Sequence, residues 1–111
     1  MRDAVELLES GNHVRPDLER LAVVGHSCGG ILSANVAAIA PEFGLPAPKA
    51  VMSVEPGLTS LFHLEDLSKI PADTLLLTIV GDRDRNVGDG DAKKIFHGAS
   101  QVPLENKDFI T

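Results

Sequence analysis

The chain has 111 residues, a formal net charge of −6 and one cysteine. Its acidic residues are spread along the chain and no basic block stands against them, which argues against nucleic acid and anionic membrane surfaces and leaves a small neutral substrate open. A lone cysteine excludes an internal disulfide and a cysteine-rich metal site, and no run of about 18 to 20 apolar residues could span a bilayer.

Met1 to Leu8 form an amphipathic helix pattern unlike a signal peptide, so a cytoplasmic location is the default expectation. Val5, Leu7 and Leu8 recur at helical spacing, and Ser10-Gly11-Asn12 ends that helix. A loop through Pro16 leads to a short apolar strand, Leu21 to Val24, and Gly25-His26-Ser27-Cys28-Gly29-Gly30 follows at once. The next helix, at about 29–40, is alanine-rich and apolar nearly all round, which implies a sheet on one side and other elements on the other. Pro41 stops it. Pro46 and Pro48 bracket a linker before a buried strand, Ala50 to Val54, and Glu55-Pro56-Gly57 turns the chain. Leu58 to Ile70 is a mixed segment expected to lie over the strand ends. Thr74 to Val80 is rich in leucine and β-branched residues without polar alternation, the pattern of a strand covered on both faces. Asp91 to Phe96 reads as a helix with Ala92, Ile95 and Phe96 inward and Gly98 as its stop. Phe109-Ile110-Thr111 begins a further strand.

This order predicts the α/β class, a parallel sheet with helices on both faces. Right-handed crossovers place every strand-to-helix loop at one edge of such a sheet, where active sites of open α/β sheets lie. Ser27, Glu55 and Asp84 each follow the C-terminal end of a strand, so topology alone brings them together.

Gly25-His26-Ser27-Cys28-Gly29 is a G-x-S-x-G sequence between a strand pattern and a helix pattern. A turn sharp enough to lift a serine hydroxyl above a sheet leaves little room for side chains two residues to either side, and glycines stand at both places. A phosphate loop or an ordinary strand-to-helix turn is the plainer reading. A dinucleotide fold would need G-x-G-x-x-G, and Ser27 occupies its second glycine. Together with Arg15 to Val24 before the turn, and Thr74 to Val80 followed by Gly81-Asp82-Arg83-Asp84-Arg85-Asn86-Val87, these residues resemble the α/β-hydrolase superfamily in its esterase and lipase-like branches. The resemblance implies that residues 1–111 form a partial α/β-hydrolase domain, running from the nucleophile elbow through the acid loop.

It further implies acyl transfer from a small-molecule carboxylic ester, with no cofactor and no metal. Ser27 would be the nucleophile, and the backbone N–H of Cys28, at the N-terminus of the following helix, one donor to the oxyanion. A second donor belongs to a loop on an earlier strand that this sequence does not contain. Asp84, three residues after the glycine closing its strand, would be the acid. Glu55 is the alternative acid, since some relatives draw theirs from the preceding strand, although Pro56-Gly57 makes a tight turn the simpler account of that position. Asp82 reads as a turn residue, and Asp89 and Asp91 as flanking or capping the next helix. His26, Leu61 and Phe62 are the candidates for substrate contact; His26 also reads as a packed support of the turn.

A histidine must activate the serine, and in this fold it follows the acid in the chain. His97 is the only histidine after Asp84, at the far end of a helix leaving the active edge. His13 belongs to a surface loop and His63 to the cover segment, and the four histidines have no metal-ligand spacing. Asp82 to Asn86 fails as a calcium loop, because Val87 and Lys93 stand where glycine and glutamate are needed. Cys28 reads as a small packed residue, and Met52 and the phenylalanines as core. By resemblance, Lys107 to Thr111 is the strand just before the catalytic histidine loop. Two functions follow: the catalytic segment of a serine ester hydrolase, or a non-catalytic, truncated or degenerate piece of that fold.

Overall fold

The computed structural model describes residues 2–12, 14–57 and 60–111. In chain order these form α1 (Arg2–Glu9), β1 (Ala22–His26), α2 (Cys28–Ile39), β2 (Ala50–Val54), β3 (Leu75–Ile79), α3 (Gly90–Gly98) and β4 (Lys107–Ile110). Short 3-10 turns lie at Leu18–Arg20, Ala40–Phe43, Leu67–Lys69 and Leu104–Asn106.

The strands form one parallel sheet in the order β1-β2-β3-β4. Its register sets Ala22 opposite Ala50 and His26 opposite Val54, then Ala50 opposite Leu75 and Val54 opposite Ile79. β1, β2 and β3 therefore end level with one another. Their C-terminal residues His26, Val54 and Ile79 stand side by side, and the turns that follow emerge from a single edge.

Side-chain alternation splits the sheet into two faces. Val51, Ser53, Leu76 and Thr78 are buried on one, beneath α2 and α3, where Ile31, Ala34, Ala37, Ala38, Ile95 and Ala99 join them in the core with Leu67, Ile70 and Val102. The many alanines of α2 let its axis lie close to the strands. Val24, Leu75 and Ile110 point the other way and are 69%, 57% and 49% exposed. Among the described residues no helix covers that second face. Thr74 to Val80, expected to be covered on both faces, is covered on one. An unbroken apolar run shows that a strand accepts burial, whereas cover depends on what packs there. α1 does not pack there: it buries no residue, and Arg2 donates to the carbonyl of Phe43 at 2.7 Å, which holds the helix beside the Ala40–Phe43 turn.

Two side chains tie the periphery to this core. Asn35, buried on α2, donates to the carbonyl of His63 at 2.7 Å and accepts the N–H of Glu65 at 3.0 Å, fastening the cover segment. Lys107 on β4 donates to the carbonyls of Phe96 and Ala99 at 3.1 and 2.9 Å, satisfying the C-terminal end of α3 with a cation where the helix dipole favours one.

Candidate functional site

Ser27 sits between β1 and α2 with φ 57° and ψ −123°. Left-handed backbone is costly for a residue with a Cβ, and it persists only where the surroundings impose it. Serine at a helix N-cap ordinarily accepts a hydrogen bond from the first turn. Ser27 makes no such bond. Its backbone is pinned instead: the N–H donates to the carbonyl of Val54 at 3.0 Å, and its own carbonyl accepts from Gly30 at 2.9 Å and from Gly57 at 3.3 Å. A Cβ on Gly25 would stand 1.9 Å from the carbonyl oxygen of Gly29, so the reversal closes only over glycine at that position. Gly29 differs from expectation: a Cβ there would meet no atom within 4 Å. The close approach uses the main chain of Gly29, and its α-carbon faces open space.

Glu55, one residue past β2, also has a positive φ, 44°. Ser27 and Glu55 are the non-glycine residues with positive φ among those described. The N–H of Glu55 donates to the carbonyl of Ile79 at 2.7 Å, and its Oε1 accepts the N–H of Gly81 at 2.6 Å. Its Oε2 is buried with no hydrogen-bond partner.

Asp84 lies in the loop after β3, where its Oδ1 accepts the N–H of Asn86 at 2.7 Å and that of Val87 at 3.2 Å. These bonds, the one to Asn86 first, hold its carboxyl below the usual carboxylate range; the neighbouring Glu55 and His26 act in the same direction to a lesser degree. The structure thus draws together Ser27, Glu55 and Asp84, and it brings His26 within electrostatic reach of Asp84.

The remaining candidates are more dispersed. Cys28 opens α2 as a partly exposed free thiol. Leu61 and Phe62 are 76% and 36% exposed on the cover segment, while His63 uses its main chain to hold Asn35. His97 is exposed in the last turn of α3, its ring edge-on to Phe96 at 5.3 Å. His13 lies outside the described residues. Among those described, no three His, Cys, Asp or Glu side chains converge as metal ligands, and no helix is long and apolar enough to cross a membrane.

The contacts among the turns escaped the sequence reading. Glu55 meets Gly81 across 26 positions, and Gly57 packs so closely on Val87 that a Cβ would come within 2.6 Å of Cγ1. Such contacts leave no local spacing signal. The one available hint was that glutamate, followed by Pro-Gly, ends a strand beside the Ser27 strand.

A family model described as the alpha/beta hydrolase fold matches residues 1–83. The chain belongs to that family. The matched stretch takes in β1 to β3 and ends one position before Asp84. Neither a curated protein nor a solved structure matches the chain.

Proposed function

We propose that this chain carries the nucleophile and the acid of a serine hydrolase acting on carboxylic esters. The observation that carries the reading is Ser27 itself, an N-cap serine held in left-handed backbone at the strand-to-helix turn and not spent on capping the helix. Its hydroxyl attacks the ester carbonyl while a histidine takes the proton, and the backbone N–H of Cys28 receives the developing oxyanion. The histidine then protonates the departing alcohol, leaving an acyl-enzyme that water cleaves by the same route. Asp84, held ionised by its backbone donors, fixes the tautomer of that histidine and stabilises its charged form.

One observation favours a second reading, a non-catalytic member of the fold: the only histidine after Asp84 is His97, exposed in the last turn of α3 with its ring against Phe96. Labelling by a fluorophosphonate probe separates the two. In protein expressed from the full reading frame of its gene, labelling maps to Ser27 and is lost in Ser27→Ala under the first reading. No labelling of Ser27 establishes the second.

A further inference from the structure

Glu55 has the geometry of a clamp between the Ser27 turn and the Asp84 loop. On one side, Gly57, two residues on, donates its N–H to the carbonyl of Ser27 at 3.3 Å. On the other, Oε1 of Glu55 takes the N–H of Gly81, the residue that opens the loop carrying Asp84. Asp84 in turn donates its N–H to the carbonyl of Gly81 at 3.1 Å, and Val87, whose N–H caps the Asp84 carboxyl, rests on Gly57. Glu55 holds this place at the cost of left-handed backbone and of a buried Oε2 that no protein donor satisfies. Strain and an unpaired buried oxygen at one residue are expected where function has fixed its position.

We propose that Glu55 is a positioning residue for the acid: its carboxyl group fixes the Gly81–Asp84 loop against the Ser27 turn. Glu55 then works as the acceptor from Gly81. Glutamine supplies that acceptor without charge, and the acid of a triad cannot be replaced in that way. The titratable groups acting on Asp84 are Glu55 from the end of β2 and His26 from the end of β1. The catalytic consequence rests on the hydrolase reading above, whereas the clamp itself does not.

The test compares Glu55→Gln with Glu55→Asn in protein from the full reading frame. Asparagine tolerates left-handed backbone better than glutamate, so Glu55→Asn keeps the turn while withdrawing the carboxyl group from Gly81. Amide exchange at Gly81 and the carboxyl titration of Asp84, both followed by NMR, read the clamp directly. In Glu55→Asn the Gly81 amide exchanges at least about tenfold faster and the Asp84 titration moves up; in Glu55→Gln the Gly81 amide keeps its protection. Ester turnover follows: kcat falls by roughly 10- to 100-fold in Glu55→Asn with KM little changed, and Glu55→Gln restores it.

Unchanged Gly81 exchange and Asp84 titration in Glu55→Asn overturn the proposal. So does a collapse of turnover in Glu55→Gln with Asp84→Asn tolerated, which would make Glu55 the acid. Intact NMR effects in a protein whose Ser27 fails to label uphold the clamp and overturn the hydrolase reading alone.

Discussion

Glu55 and Gly81 meet at 2.6 Å, side-chain oxygen to backbone N–H, so the turn that ends β2 and the turn that ends β3 are tied to each other. Gly57 ties the first of these to Ser27 as well. Three turns separated in sequence thereby become one rigid edge, and the predictions that follow probe the parts of it.

The two glycines flanking Ser27 are not equivalent. Gly25→Ala forces a Cβ to within 1.9 Å of the Gly29 carbonyl oxygen, and it lowers stability by about 2 to 4 kcal/mol, in the range of severe steric substitutions. Gly29→Ala meets open space in the first turn of α2 and, by helix propensity, stabilises by up to about 1 kcal/mol. Denaturant midpoints of the two variants against wild type check the order, and equal losses would contradict it.

Acid should expose the role of Asp84. A carboxyl whose folded pKa is depressed contributes stability that is fully present above its unfolded value near 4 and lost as pH falls through the folded value. Asp84 is lowered in this way by the N–H groups of Asn86 and Val87, with Glu55 and His26 adding. Melting temperatures of wild type relative to Asp84→Asn therefore rise between about pH 2 and pH 5 and level off above. A difference that shrinks as pH rises would contradict this.

The cover segment hangs on one side chain. Asn35→Ala removes the partners of the His63 carbonyl and the Glu65 N–H and should cost about 1 to 3 kcal/mol. Proteolysis within 60–66 should become faster at the same time. Asn35→Asp, which keeps the acceptor for Glu65 and loses the donor to His63, should fall between wild type and alanine.

Much of the architecture was legible because parallel strands and buried helices carry strong apolar signatures. Ala50 to Val54 was placed to the residue, and the strand before Ser27 ran two residues further than expected, to His26, because its pairing with β2 continues to Val54. The convergence of Ser27, Glu55 and Asp84 followed from topology. The open face of β3 was not legible, since Leu75 reads as buried by type and is exposed through lack of a neighbour. Nor was the spare room at Gly29, because a motif records which residues occur and not which atoms meet. The Glu55–Gly81 bond was hidden for a third reason. It joins a side chain to a main-chain group, and main-chain groups are the same at every position.

The central claim is that Ser27 is a nucleophile served by Asp84, and ester turnover by protein from the full reading frame tests it most directly. With a p-nitrophenyl ester as substrate, Ser27→Ala should lower kcat by roughly 10³-fold or more, and Asp84→Asn by about 10⁴-fold through loss of the correct histidine tautomer. Turnover undiminished in Ser27→Ala would contradict the account.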